Sequence, residues 1–266
     1  MTLRIAWLTT GRGPGSFGAL EYALDAIDGG LPVDLATLFV NREPGESPAT
    51  DALLRMAAER GVHVETLSSV RFRKVRGGKI SKPGEPLAPW RLEYDAAVAD
   101  RLARHQFDLG VMFGYMLVAS PPLYSRFPLI NDHPALPDGP IGTYQEVVAE
   151  LIRARARESG CMMNVVTGDL DRGPAISYCR YTIRDAENEA LWREAKSLLS
   201  DTKLLEESSL YADIRARGVR RERPFVVETL RSLCEGTLAV PPSGAATDLS
   251  SAVEAVLHGG SGVSQQ

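Results

Sequence analysis

An asparagine and a histidine two residues apart, Asn131 and His133, carry the side-chain chemistry of an acyl-transfer site. A carboxamide is a neutral hydrogen-bond donor and an imidazole is a proton carrier, a pair that suits stabilisation of an oxyanion. On an extended segment both side chains point to the same side. Pro134 and Pro137 follow, and they prevent a helix or strand from continuing. The sequence therefore predicts a stiff catalytic loop over residues 129–137.

The elements before this loop predict where it lies. Residues 109–114 form an apolar run that is typical of a buried strand in a parallel sheet, and residues 128–130 form a second, shorter one. We therefore expect Asn131 and His133 just past the carboxyl end of a strand. In open α/β sheets, ligands bind in the crevice outside those ends.

A tight acidic loop, residues 167–174, follows another expected strand at 161–166. Its aspartates, Asp169 and Asp171, could simply form a turn. At a neighbouring strand end, however, one of them would be well placed to orient the imidazole of His133.

A glycine-rich stretch, residues 11–18, separates the first expected strand, 3–9, from an amphipathic helix expected over residues 19–27. A strand, a glycine loop and a helix N-terminus together can cradle a phosphate. The pattern Gly13-x-Gly15-x-x-Gly18 also matches the dinucleotide fingerprint, although a tight turn alone needs glycines too. A dinucleotide site would favour an acidic residue at the end of the second strand, where the chain has Asn41, although the neighbouring Arg42 could bind a ribose phosphate instead.

Composition narrows the class of protein. The chain has 266 residues, 44% of them hydrophobic, and a net charge of −4, which gives no reason to expect nucleic acid as a partner. No apolar run approaches the roughly 20 residues that span a bilayer, so no membrane association is expected. Three widely spaced cysteines without a Cys-x-x-Cys pair argue for a reducing compartment and against a disulfide framework or a structural zinc site. We expect a cytoplasmic protein.

The remaining pattern predicts an α/β fold: a Rossmann-like, mostly parallel sheet with helices on both faces, plus a helical C-terminal extension. Residues 70–89 are expected to form a long basic loop, either a solvated insertion or a lid for an anionic substrate. Expected domains are an α/β domain at 1–185, a helical extension at 186–240 and a flexible tail at 241–266. Other expected elements are strands at 33–40, 62–66 and 175–183, and helices at 50–60, 90–106, 142–159, 187–200, 202–217 and 224–235.

Two long motifs in this chain resemble those of the folate-dependent formyltransferases, most closely the branch that formylates glycinamide ribonucleotide. The first is Leu-Ile-Asn131-Asp-His133-Pro-Ala-Leu-Pro. The second runs from Gly160 through Val-Val-Thr167-Gly-Asp-Leu-Asp171-Arg-Gly-Pro174. The likeness covers roughly residues 3–185.

The resemblance implies an enzyme that uses 10-formyltetrahydrofolate and acts on a small, phosphorylated amine, with a role in purine biosynthesis. It implies the catalytic set Asn131, His133 and Asp171. It implies a folate pocket lined by Tyr115, Met116, Leu117, Val118, Val166, Thr167 and Asp169. It also implies that a substrate phosphate is held by Gly11, Gly13, Gly15, Ser16 and Arg91. A homodimer is a further expectation.

Departures from the family pattern leave the acceptor open. The glycine loop has an insertion with Pro14 and Phe17, and Asn164 stands where the family commonly has a histidine. The alternatives are a different amine acceptor, a 10-formyltetrahydrofolate hydrolase, a nucleotide-binding protein that uses the glycine loop, and a relative that binds folate without turnover.

Overall fold

The computed structural model describes residues 2–81 and 85–259. The chain divides into two compact units. The first comprises the chain up to Asn131 together with Val165–Asp169, and the second comprises Asp132–Asn164 together with the chain from Leu170 onward. Part of the expected flexible tail, residues 260–266, falls outside the described residues.

The first unit is built on parallel strands in the order β3-β2-β1-β4-β5. Its elements are β1 (Leu3–Thr9), α1 (Pro14–Asp28), β2 (Val33–Val40), α2 (Pro48–Glu59), β3 (Val64–Thr66), α3 (Ser69–Val75), α4 (Pro89–Leu102), β4 (Leu109–Met112), α5 (Pro121–Tyr124) and β5 (Leu129–His133). Strands β1 and β4 are buried, as their apolar runs predict, and the core includes Phe39 and Tyr94.

Helix α1 begins five residues earlier than expected. Pro14 occupies its first turn, where the fixed φ of proline favours a helix and its missing N–H costs nothing. Gly15 and Ser16 therefore belong to the first turn of a helix and not to a loop.

The expected basic loop at 70–89 is wrong in its first part, because α3 occupies Ser69–Val75. The Ser68 hydroxyl caps this helix by accepting a hydrogen bond from the Arg71 N–H. Arg71 pairs with Glu43 at 2.5 Å, and Arg76 pairs with Glu93. Of the basic residues in this segment, Lys82 lies outside the described residues.

The second unit contains α6 (Tyr144–Arg153), β6 (Glu158–Val165), β7 (Ala175–Thr182), α7 (Glu189–Glu194), a 3-10 turn (Ala195–Leu198), α8 (Thr202–Glu206), α9 (Ser209–Cys234), β8 (Thr247–Asp248) and α10 (Ser250–Gly259). Strands β6 and β7 pair antiparallel, whereas β7 and β8 pair parallel. Helix α6 starts at the expected cap, where Thr143 and Glu146 form a capping box. It ends earlier than residue 159, because Arg155 has a left-handed φ of 52° and β6 begins at Glu158.

Helix α9 runs unbroken through Pro224, so the expected division into two helices at residues 217 and 224 is wrong. Proline normally interrupts a helix, but the surrounding residues Phe225, Val226 and Leu230 are fully buried. Their packing outweighs the lost hydrogen bond. With these corrections, the predicted α/β class with a mostly parallel sheet and a helical C-terminal part is confirmed. None of the described helices has both the length and the apolar character needed to cross a membrane.

Candidate active site

His133 and Asp171 lie together in the second unit. Nδ1 of His133 is 3.5 Å from Oδ2 of Asp171, with both side chains largely withdrawn from solvent. His133 is the last residue of β5, and Asp171 follows β6 in the acidic loop. The structure thus selects Asp171, not Asp169, as the aspartate beside the imidazole.

The backbone at Asp171 is held in an unusual conformation. Its φ is 53°, in the left-handed region that a non-glycine residue seldom adopts. The Gly142 N–H donates to the same oxygen, Oδ2, at 3.2 Å. Strained backbone of this kind is concentrated at functional sites, because the surrounding structure must impose it. Gly142 is a site residue that the sequence analysis missed.

The other ring nitrogen of His133, Nε2, lies 2.8 Å from the carbonyl oxygen of Pro140. A carbonyl only accepts hydrogen bonds, so Nε2 carries a proton in this arrangement. The Asp171 carboxylate lies beside the other ring nitrogen, so the imidazole stands between a carbonyl and a carboxylate. Sequence patterns give no signal for the Pro140 contact, because it depends on how the loop after β5 turns back.

Asn131 lies inside β5, two residues before His133, and not past the strand's end as the apolar pattern predicts. In an extended strand the two side chains fall on the same side and Asp132 falls on the other. Burial, followed by the charge of Glu222, raises the pKa of Asp132 well above its usual range, while Arg215 lowers it. Oδ1 of Asp132 is buried without a hydrogen-bond partner among the described residues. The raised pKa favours the neutral form of the Asp132 carboxyl, because a charge at this buried position would destabilise the folded chain.

In the first unit, the segment after β1 packs on the segment after β4. The Thr10 N–H donates to the Gly114 carbonyl at 3.0 Å, and the Thr10 hydroxyl accepts from the Met116 N–H at 2.9 Å. Gly114 has a φ of 63°, and a Cβ there would lie 2.3 Å from the Ser16 hydroxyl. The structure thus brings the predicted phosphate loop beside the first predicted folate residues.

The N-terminus of α1 has no side-chain cap. Gly13 is the N-cap residue, and within residues 2–81 and 85–259 no side chain caps the first turn by a hydrogen bond. The amides of this turn, including those of Gly15 and Ser16, have no partner within the helix. An uncapped helix N-terminus with its positive dipole end is suited to an anion.

Arg91 is buried in the first turn of α4. Nη2 donates to the Val118 carbonyl at 2.6 Å and to Asp95 at 3.2 Å. Nη1 is buried and has no hydrogen-bond partner among the described residues. Burial raises the pKa of Asp95 above its usual value, although Arg91 and Ser120 act against that rise. The sequence analysis missed Asp95 as the partner, which the i, i+4 spacing on a helix could have indicated.

The predicted folate residues divide into core and surface. Tyr115 is buried, and Leu117 and Val166 pack against the same apolar core. Met116 and Val118, by contrast, are exposed apolar residues, at 50% and 39%. The Val166 N–H donates to the Leu129 carbonyl, which fixes the start of the 166–169 segment against β5. A turn follows, in which the Asp169 N–H donates to the Thr167 hydroxyl.

Comparison with known families gives a match over more than half of the chain. Residues 44–196 match the family model described as formyl transferase. The chain belongs to the formyl transferase family. This confirms the resemblance drawn from the two motifs, and with it the prediction of an enzyme.

The relatives of this formyltransferase agree on the family. A phosphoribosylglycinamide formyltransferase of Mycobacterium tuberculosis is 26% identical over 193 residues, which cover 72% of this chain and 76% of that protein. Among solved structures, glycinamide ribonucleotide transformylase 1 from Symbiobacterium toebii has a TM-score of 0.63 at 22% identity, covering 88% and 89% of the two chains. A sugar N-formyltransferase from Shewanella has a TM-score of 0.52 at 12% identity, covering 90% and 72%. The structural likenesses show a shared fold.

Proposed function

We propose that this formyltransferase moves a formyl group from 10-formyltetrahydrofolate to a primary amine, with glycinamide ribonucleotide as the leading candidate acceptor. The observation that carries the proposal is the pairing of His133 with Asp171 at 3.5 Å, two residues beyond Asn131 on β5. The curated relative at 26% identity is named for the same acceptor.

The donor supplies a formyl carbon bonded to a folate nitrogen. When an amine attacks that carbon, negative charge develops on the formyl oxygen. The Asn131 amide donates a hydrogen bond to this oxygen, and the His133 imidazolium adds a charged donor. Asp171 favours the imidazolium by its opposite charge. The amine loses a proton and the leaving folate nitrogen gains one. The His133 imidazolium can give its Nε2 proton to that nitrogen, and the neutral ring that remains can then take the proton of the amine.

The Pro140 carbonyl enters this proposal as a ground-state partner. In the free enzyme this carbonyl accepts the hydrogen bond from Nε2 of His133, at 2.8 Å. In the proposed reaction the formyl oxygen replaces the carbonyl as the acceptor. The hydrogen bond thereby keeps the productive protonation state and the ring orientation before substrate arrives.

Residues of the first unit fit a folate and an anion. The exposed side chains of Met116 and Val118 offer apolar surface for a flat ring, and the nearby main chain offers polar groups. The unpartnered, buried Nη1 of Arg91 has a hydrogen bond to give to an anionic oxygen. The uncapped N-terminus of α1 is the candidate site for an acceptor phosphate.

The test is a product assay with purified protein and 10-formyltetrahydrofolate. Tetrahydrofolate release that requires glycinamide ribonucleotide, with a formylated ribonucleotide identified by mass, would support the proposal. An amino sugar nucleotide serves as a second acceptor, because one structural neighbour is named a sugar N-formyltransferase. Formylation of that acceptor alone would reassign the substrate, and donor consumption without any amine would indicate a hydrolase. Absence of turnover with every acceptor and with water would contradict the proposal.

The expected cytoplasmic location, the homodimer and the domain boundaries stay predictions. Size-exclusion chromatography with light scattering tests the homodimer directly.

A further inference from the structure

Three side chains in the first unit bring two imidazoles and a carboxylate to one point, and formyl transfer makes no use of them. Nε2 of His105 is 3.1 Å from Oε1 of Glu65, and Nε2 of His63 is 3.8 Å from the same oxygen. The two imidazole rings have their centroids 4.6 Å apart. One ligand atom from each of the three side chains lies within 4.8 Å of the others.

The backbone holds all three residues in place. Glu65 is the middle residue of β3 and pairs with Phe39 of β2. His63 lies two residues earlier, so the alternation of a strand puts its side chain on the same side as that of Glu65. Its carbonyl accepts a hydrogen bond from the Leu38 N–H at 2.8 Å. The His105 N–H donates to the Leu102 carbonyl at 3.0 Å, in the turn that ends α4.

The spacing fits a metal ion more fully than it fits hydrogen bonding alone. In a tetrahedral zinc site with bonds of about 2.0–2.1 Å, ligand atoms lie about 3.3–3.4 Å apart. The measured 3.1 and 3.8 Å fall on either side of that value. The His105–Glu65 contact has the length of a hydrogen bond, whereas the 3.8 Å from Nε2 of His63 to the same oxygen is too long for one.

Burial shows which side is open. The side chains of Glu65 and His105 are each 16% exposed, whereas that of His63 is 59% exposed. Three protein ligands with one side open to water is the arrangement of zinc sites that keep a water molecule in the fourth position. Two imidazoles and one carboxylate favour zinc and its neighbours among the transition metals over magnesium or calcium.

We propose that His63, Glu65 and His105 bind a divalent transition-metal ion of the zinc class. The site is separate in the fold from the predicted ligand loops of the first unit. His63 and His105 precede β3 and β4 and Glu65 lies within β3, whereas those loops follow the carboxyl ends of β1 and β4. The ion would join β3, which stands at one end of the strand order, to the end of α4. Binding of the ion is therefore expected to stabilise this part of the sheet, while the open side leaves room for a bound water molecule. Metal sites of this kind contribute binding energy to folding.

The experiment uses the full chain without a histidine tag, stripped with a chelator and titrated with Zn²⁺ in a calorimeter. The expected result is saturable binding of one ion per chain and a rise in melting temperature with Zn²⁺. Titration with Co²⁺ should give the visible absorption of a low-symmetry, four- or five-coordinate ion. Absence of saturable binding in the micromolar range would overturn the proposal.

Variants locate the ion. His63→Ala changes an exposed side chain and is expected to fold normally. Its Zn²⁺ affinity should fall by at least about 100-fold, since loss of an outer-shell partner alone costs about 10-fold to 100-fold. His105→Ala and Glu65→Gln should weaken binding similarly. The control is His258→Ala, since His258 is a histidine of α10 that is 78% exposed, and this change should leave binding unaltered. Binding that survives both histidine variants, or that is lost with His258→Ala, would place the ion elsewhere and overturn the proposal.

Discussion

Asp171 holds its carboxylate 3.5 Å from Nδ1 of His133 while its own backbone stays in the left-handed region. The Gly142 N–H donates a hydrogen bond to the same carboxylate and restrains the Asp171 side chain further. In the proposed reaction Asp171 does not touch the substrate. It acts through the imidazole, whose orientation and charge it sets.

Asp171→Asn should therefore lower kcat while leaving the KM for both substrates nearly unchanged. An amide keeps the shape of the carboxylate but loses the negative charge that favours the imidazolium, so the expected loss is about 10²–10⁴-fold. Steady-state kinetics of tetrahydrofolate release measures it. Asp138→Asn, at an exposed aspartate of the loop after β5, is the matched control and should behave as the parent. An Asp171→Asn enzyme with parental kcat would remove Asp171 from the catalytic set.

Arg91→Lys tests the buried guanidinium. Lysine keeps a positive charge beside Asp95. Its single ammonium cannot both donate to the Val118 carbonyl, as Nη2 of Arg91 does, and present a second, unpartnered donor, as Nη1 does. Loss of one charge-assisted hydrogen bond predicts a KM increase of about 10-fold to 100-fold for the anionic substrate that Nη1 contacts. Arg126→Lys, at an exposed arginine paired with Asp100, is the control. If neither substrate's KM rises in Arg91→Lys, Arg91 serves only to pair with Asp95.

Gly114→Ala tests the contact between the two loops of the first unit. Its φ of 63° disfavours alanine, and the added Cβ would meet the Ser16 hydroxyl at 2.3 Å. The free energy of unfolding should fall by about 1–3 kcal/mol, measured by urea denaturation. The comparison variant is Gly13→Ala, where the backbone is extended and nothing lies within 4 Å of a new Cβ. That change should cost less than about 1 kcal/mol of stability. Equal losses in the two variants would contradict the close packing at Gly114.

Asp132→Asn tests the carboxyl that lies between the two proposed catalytic residues, Asn131 and His133. Because the pKa of Asp132 is raised in the folded protein, the folded chain keeps this proton to higher pH than the unfolded chain does. The free energy of unfolding should therefore fall as the pH rises from about 4 toward the raised pKa. Asparagine does not ionise, so the variant does not lose stability in this way as the pH rises. The melting temperature of Asp132→Asn should therefore exceed the parent's by a margin that grows with pH. A margin that shrinks as the pH rises would show that Asp132 is ionised and stabilising.

The main strands of the first unit could be predicted from sequence, because buried parallel strands are continuous apolar runs. The first and last residues of the helices were harder to predict, and each wrong helix boundary has a local cause. Pro14 starts α1 early, Arg155 ends the α6 segment by adopting a left-handed φ, and Pro224 is tolerated inside α9 because its neighbours are buried. Tertiary packing decides the last of these, and a single sequence does not display it.

The contacts within the candidate site also divide into those that the sequence predicts and those that it does not. The motif spacing predicted that His133 would have an aspartate partner, since two strand ends of one sheet carry them. It did not predict the Pro140 carbonyl or the Gly142 N–H, because both come from a loop whose path no pattern fixes. His63 and His105 were missed for a related reason: they are 42 positions apart, and only the folded sheet brings them to Glu65.

The measurement that bears most directly on the account is kcat for tetrahydrofolate release in His133→Ala, at saturating 10-formyltetrahydrofolate and acceptor. The account predicts a loss of about 10²–10⁴-fold, because the donor and proton carrier is gone. The variant should still unfold cooperatively, at a lower melting temperature, since a buried and hydrogen-bonded ring is removed. A folded His133→Ala protein that releases tetrahydrofolate at the parental rate would contradict it.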